Sequence, residues 1–280
     1  MNNKRNLVSA LLGGGWLAAL VWWERRRALR SMSDSKIKRD ARNLALAAAA
    51  GVTMQLLEFP VAFCLARQAC KKRRGLLQLA PLPRPLHVIA AVALLDYTLY
   101  WWHILAHRVP LLWRFHQAHH LDREMDATTG LRFHFGEIAL SVLFRAGQVF
   151  VIGPAPEGFT AWQSFLFACI LFHHANVRLP LRAERALARF VITPRLHGIH
   201  HSVAPEEVNS NWSSGLTIWD WLHGTLRTEV RQDNIVIGVR GRRGDSDQEL
   251  LNVLAVPFRD AAPVPPNPGL FVRQPMEALQ

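Results

Sequence analysis

The chain has 280 residues, half of them hydrophobic and only 19% charged, with a formal net charge of +12. That is apolar for a soluble enzyme, and unevenly so, which points to membrane helices joined to a polar part. The cations flank apolar runs, as at Arg25, Arg26 and Arg27 or Lys71, Lys72, Arg73 and Arg74, so membrane anchoring explains them better than nucleic-acid binding.

A membrane helix needs about 20 mostly apolar residues. Residues 7–23 are the first such run. It is short, but it closes on Trp22, Trp23 and an arginine cluster, and without a small-x-small cleavage site it reads as an anchor rather than a removed signal peptide. Residues 44–66 hold Glu58 and Pro60. Residues 86–102 hold Asp96 and run straight into His103. Residues 138–152 and 159–175 flank a turn, 153–158, that lacks Lys and Arg, so they look like a helical hairpin. The expectation is about four spans.

The segment before the hairpin carries Arg108, Arg114, Arg123 and Arg132; the one after it carries Arg178, Arg182, Arg185, Arg189 and Arg195. The positive-inside rule puts both on the cytoplasmic side. Loops 24–42 and 67–84 resist this scheme: both are basic, yet one span between them would separate them. Either 44–66 is re-entrant or the rule fails there. Beyond His201, residues 202–228 are mixed and polar, 234–239 read as a short strand, and 248–258 have helical periodicity. From Ala261 the chain is Pro-rich. Cys64, Cys70 and Cys169 show neither ligand spacing nor a disulfide pattern.

Three histidine boxes stand out: His103-x3-His107, His116-x2-His119-His120 and His197-x2-His200-His201. On a helix, positions i, i+3 and i+4 share a face, so His103 projects with His107, and His116 with both His119 and His120. The adjacent pair lies about 100° apart, so one member can face each of two ions. The same holds for His197, His200 and His201 if that segment is helical. One HxxxH alone is weak evidence; three boxes in this order are not.

His174, at the end of the second hairpin arm, is a further candidate ligand. His134 and His173 are weaker ones; His87, at the start of an apolar segment, reads as interfacial and His223 as structural. Asp96 lies two turns before His103 and reads as a partner orienting an imidazole; Glu58 invites the same suspicion. Nitrogen donors suit Fe, Zn, Cu or Ni, and boxes without Cys argue against a structural zinc site.

These residues resemble the fatty acid hydroxylase / sterol desaturase superfamily of membrane di-iron oxygenases. The matching segments are Asp96-Tyr97 through His107, Leu112-Trp113-Arg114-Phe115-His116 through His120, Arg132-x-His134-x2-Glu137, His174-Ala175-Asn176-Val177-Arg178-Leu179-Pro180, Thr193-Pro194 through Ser202, and Asn211 with Trp219-Asp220 and Gly224-Thr225. They span about residues 90–258.

The resemblance implies an all-α membrane bundle with a cytoplasmic histidine-rich cap. The cap would hold two iron ions, for which zinc can substitute in a purified protein. The implied ligands are His103, His107, His116, His119, His120, His174, His197, His200 and His201, with Asp96, Asn211 and Asp220 behind them. The implied activity is O2-dependent hydroxylation or desaturation of a lipid such as a sterol or fatty acyl chain. Residues 1–84 would be an anchor with basic loops, 85–258 the catalytic domain, and 259–280 a tail.

Phe135 and His223 depart from the family's usual Pro and Phe. No haem motif or iron–sulfur cysteines appear, so a ferredoxin, a cytochrome b5-like protein or a reductase would supply electrons. A metal transporter and a catalytically silent membrane scaffold are the rival readings.

Overall fold

A computed structural model describes residues 2–79, 81–259 and 261–266, with side chains from residue 11 onward. Of the expected tail 259–280, residues 260 and 267–280 lie outside this set.

The helices are α1 (Asn2–Arg26), α2 (Lys36–Thr53), α3 (Phe59–Lys72), α4 (Leu76–Leu79), α5 (Arg84–Arg108), α6 (Pro110–His120), α7 (Phe135–Ile152), α8 (Pro156–His174), α9 (Leu181–Leu187), α10 (Pro194–His200), α11 (Pro205–Val208), α12 (Ile218–His223) and α13 (Leu250–Ala255). Among the described residues there is no strand, only four isolated bridges. The expected strand at 234–239 is absent. Gly238 takes φ +127°, Ile237 bridges Ser202, and Val239 bridges Arg242, so the alternation of apolar residues serves burial in a loop.

Prolines and chain reversals set the layout. Val109 is extended at φ −89°, ψ 117° because Pro110 follows it, and Pro110 then starts α6. This corner folds the second histidine box back beside the first. α7 ends at Gly153 with left-handed φ 65°, and Pro156 opens α8.

α2 starts where Arg39 meets Asp122 and Asp126. α3 ends at the opposite pole, where Gly75, at φ +98°, packs on the backbone of Gly153 and Arg84 pairs with Glu157 at 2.8 Å. α5 and α8 return to the first pole and α7 leaves it. α1 also ends there, with Glu24 Oε1 accepting from Ala127 N at 2.7 Å and Asn176 N at 2.8 Å.

The 44–66 segment is not re-entrant: α2 and α3 run end to end through a π-turn, Met54–Glu58, so the two basic loops do lie at opposite poles. The turn directs Glu58 inward, to 3% exposure, while Leu56 stays 70% exposed. The two arms flanking 153–158 are not a packed hairpin, because α5 lies against both α7 and α8. About four spans were expected; among the described residues, three segments are long and apolar enough to cross a membrane, Lys36–Leu79, Arg84–Arg108 and Phe135–Ile152. α8 has the length, but its 19 residues include Glu157, Gln163, His173 and His174.

A core of Leu95, Leu99, Val149, Phe159 and Trp162 packs these helices together. Van der Waals packing of such side chains, rather than their removal from water, holds apolar helices together in a lipid setting and supports the bundle beneath the histidine-bearing pole.

Candidate metal centre

Two groups of four buried histidines sit at that pole. His103, His107, His120 and His200 form one; His119, His174, His197 and His201 form the other. Within each group the donor nitrogens lie within 4.8 Å of one another. The adjacent pairs split between groups, His119 from His120 and His200 from His201, as the 100° step on a helix dictates. α6 and α10 therefore serve both groups, α5 serves only the first, and α8 only the second.

His116 belongs to neither group. Its ring lies 4.8 Å from His107, 5.1 Å from His120 and 5.5 Å from His119, between the two sets, with Nε2 buried and unpartnered.

Hydrogen bonds set the ring orientations. Nδ1–H donates to Trp212 O from His103 (2.7 Å), to Glu137 Oε1 from His116 (2.7 Å), to Arg132 O from His119 (3.2 Å), to Ile170 O from His174 (2.8 Å) and to Ser210 O from His200 (2.9 Å). A ring that donates from Nδ1 keeps a bare Nε2.

The Nε2 atoms of His119 and His174 are then both lone pairs, yet they face each other at 3.0 Å. His197 Nε2 and His201 Nε2 approach His174 Nε2 to 3.1 and 3.2 Å. In the other group, both ring nitrogens of His107 and of His120, and Nε2 of His200, are buried without a partner.

Burial, and then the neighbouring histidines, hold His119, His120, His197 and His201 well below the usual histidine range. Burial brings His200 down to about 3. Neutral, converging lone pairs repel unless a cation lies between them. Imidazole donors about 2.1 Å from a common metal come naturally to such separations, so the residues present fit two nitrogen-ligated ions.

Aromatic side chains close the site. Trp212 packs 4.8 Å from His107, Trp113 packs 5.0 Å from His107, and Phe133 stacks on His119 at 4.7 Å.

The remaining expected residues divide. Asp220 takes the backbone N–H of Trp212 (2.8 Å) and of Ser213 (2.9 Å), so it fixes the carbonyl that holds His103. Asn211 donates to Leu196 O and Arg227 O. Asp96 does not orient an imidazole: it accepts from Leu216 N at 2.9 Å and Trp219 Nε1 at 2.7 Å, tying α5 to α12 and the loop before it. Glu58 pairs with Arg145 at 3.2 Å inside the bundle and touches no histidine.

His134 caps α7 by accepting from Gly136 N and lies outside both groups. His173 sits 4.0 Å from the His197 ring, hydrogen-bonded to the Ser214 backbone. His223 stacks on Tyr100 and meets Tyr97 Oη at 3.2 Å. Glu137 had no role assigned from sequence. Its signal was its place in Arg132-x-His134-x2-Glu137, at the start of the helix beside the second box.

Residues 88–225 match the family model described as fatty acid hydroxylase. The chain is 34% identical over 178 residues to an ornithine lipid hydroxylase of Rhizobium tropici, covering 63% of this chain and 51% of that protein. It is 31% identical over 134 residues to an alkylglycerol monooxygenase of Xenopus tropicalis, covering 48% and 29%, and 27% identical over 150 residues to the human cholesterol 25-hydroxylase, covering 51% and 52%. The chain thus spans about half or less of the length of these relatives. No solved structure matches significantly. All nine histidines converging at this pole fall within the matched segment, and through residues 88–225 the chain belongs to the fatty acid hydroxylase family.

Proposed function

We propose that the chain is a membrane-bound di-iron enzyme that hydroxylates a C–H bond of a lipid, with the balance R–H + O2 + 2 electrons + 2 H⁺ giving R–OH + H2O. The observation that carries this reading is the pair of four-histidine groups whose bare nitrogens converge at one buried pole of an apolar bundle. Hydroxylation is preferred to desaturation because the relatives are named as hydroxylases and a monooxygenase. They act on lipids that share a membrane setting and little else, so the substrate class is a membrane lipid.

Nitrogen-rich donor sets suit iron, and two irons held there supply the reduction of O2 and the oxidation of the C–H bond. The chain's own residues do the rest. Eight histidines and His116 hold the ions. Glu137 and the carbonyls of Ile170, Arg132, Ser210 and Trp212 keep a proton on Nδ1, so that Nε2 stays a donor. Trp113, Trp212 and Phe133 exclude water, which strengthens every charge interaction inside. Electrons come from a separate ferredoxin, cytochrome b5-like protein or reductase. The arginine-rich pole faces the cytoplasm by the positive-inside rule, and residues 85–258 form the catalytic domain.

The test uses the full chain in lipid nanodiscs with iron, a ferredoxin and its reductase, and ¹⁸O2. The expected result is about two irons per chain and one ¹⁸O atom in a lipid product, lost in His119→Ala. Iron-loaded protein that consumes no O2 with any membrane lipid extract would sink the reading.

A further inference from the structure

The chain has only two tyrosines, Tyr97 and Tyr100, and both lie against His223, the position that departs from the family's usual Phe. They stand at i and i+3 on α5 and so share a face. The His223 ring stacks on Tyr100 at 5.1 Å, lies 9° from parallel to Tyr97 at 5.7 Å, and meets Trp101 edge-on at 5.0 Å. Its Nε2 faces Tyr97 Oη at 3.2 Å. Trp219 closes the group, 4.9 Å from the Tyr97 ring.

Phe would serve the stacking as well. Imidazole adds a base: with its proton on Nδ1, Nε2 accepts the phenol O–H of Tyr97. A phenol gives up an electron more readily when its proton can leave in the same step. Tyr100 lacks such a partner. Its Oη meets Thr225 Oγ1 at 3.1 Å, a hydroxyl that already donates to Asp220 Oδ1 at 2.5 Å and cannot keep a second proton.

The group is continuous with the histidine centre. Asp220 Oδ1 also accepts from Trp212 N at 2.8 Å, and Trp212 O accepts from His103 Nδ1 at 2.7 Å. Along α5, Tyr100 is about 4.5 Å and Tyr97 about 9 Å of helix rise from His103. An electron crosses such a span without a change of conformation.

We propose that Tyr97 and His223 form a redox-active pair that supplies one electron to the histidine centre when O2 has oxidised it and no lipid C–H bond is in reach. This role rests on the oxygenase reading above. The Tyr97 O–H bond breaks; the electron goes to the oxidised centre and the proton to His223 Nε2, leaving a neutral tyrosyl radical beside an imidazolium. The electron donor that serves the centre then reduces the radical, and the proton returns to the phenol oxygen.

The first arm of the test needs no metal. Metal-free full chain in detergent, carrying ring-deuterated or ordinary tyrosine, is flashed with a ruthenium tris(bipyridine) photo-oxidant and persulfate, frozen, and read by EPR. The wild type should give a tyrosyl signal that narrows on deuteration; Tyr100→Phe should keep it and Tyr97→Phe should lose it. His223→Phe preserves the stacking and should lower the yield at least fivefold. If it does not fold, His223→Gln, which keeps a hydrogen bond but cannot hold the proton, should do the same. An undiminished signal in Tyr97→Phe, or an equal yield without the imidazole, overturns the pair. The second arm exposes reduced, iron-loaded protein to O2 with no lipid present, and the same signal should appear. Its absence from protein that hydroxylates lipid overturns the link to the centre. Loaded protein that takes up no O2 overturns the oxygenase reading and this role with it, while the flash experiment still decides the pair.

Discussion

Asn211 controls two histidines without touching either. It takes φ 52°, a left-handed conformation that Asn tolerates better than most residues, and its side chain bonds Leu196 O, Arg227 O and Arg227 N at 2.8–2.9 Å. The reversal aims the carbonyl before it, Ser210, at His200 and the one after it, Trp212, at His103, both in the same group. Asn211→Ala loses three buried hydrogen bonds and adds about 1–2 kcal/mol of left-handed strain. Metal analysis should show selective loss from the first group, with Asn211→Asp retaining more than Asn211→Ala. Glu137 acts directly: Glu137→Leu leaves His116 Nδ1–H without an acceptor and should weaken metal binding about 10–100-fold, whereas Glu137→Gln still accepts the proton and should lose less. A chelator competition titration distinguishes the two variants, and equal affinities would refute the orienting role.

At the scale of elements, α2 is bolted to the histidine-bearing pole by buried charge. Arg39 meets Asp122 at 2.9 Å and Asp126 at 2.8 Å, Lys36 meets Asp126 at 2.9 Å, and Asn43 joins Asp122 to Thr128. Burial disfavours the Asp126 charge, but Arg39 and Lys36 outweigh it and hold the carboxyl below its usual range. A depressed carboxylate contributes stability that is present above its unfolded value near 3.9 and lost as pH falls through the lower folded value. Asp126→Asn should thus cost about 3 kcal/mol near neutrality, by leaving Arg39 and Lys36 short of a partner, and should flatten the loss of stability below pH 4. Parallel denaturant titrations at pH 7 and pH 3.5 check both claims.

This bolt was not legible in the sequence, because its residues sit 79–90 positions apart and no local periodicity links them. The histidine boxes were legible because i, i+3 and i+4 geometry is local. The carbonyls that orient them were not, since every residue has one. Asp96 misled for the same reason: helical spacing put it on the His103 side of α5, but Trp219, far along the chain, claims its oxygen. Gly130 is a quieter case. A Cβ there would lie 2.9 Å from Ile170 O and 3.1 Å from His174 Nδ1, the two atoms of one orienting bond. Gly130→Ala should therefore displace His174 and lower metal content without unfolding the bundle, as circular dichroism alongside metal analysis would show.

Across the whole molecule, the two histidine groups sit where four helices converge, of which α5 already packs directly on α6 and α8. One group draws on α5, α6 and α10 and the other on α6, α8 and α10, so two bound ions would cross-link four helices. Without them, nine imidazoles crowd together, with the lone pairs of His119 and His174 opposed at 3.0 Å. Binding that favours the folded state adds about 4 kcal/mol when free ligand is 1,000 times its Kd. For a chain of this size each kcal/mol moves the Tm by roughly 2–4 °C. Metal removal should therefore lower the Tm by about 10 °C, and the first region to open should be α10 with the loops on either side, because α10 is short and contributes to both groups. Hydrogen exchange of the metal-loaded and chelated protein in the same detergent measures this directly: protection should fall at 194–201 before it falls in α5 or α7. Unchanged exchange at 194–201 after complete metal removal would mean that packing alone holds α10, and that the histidines converge without depending on an ion.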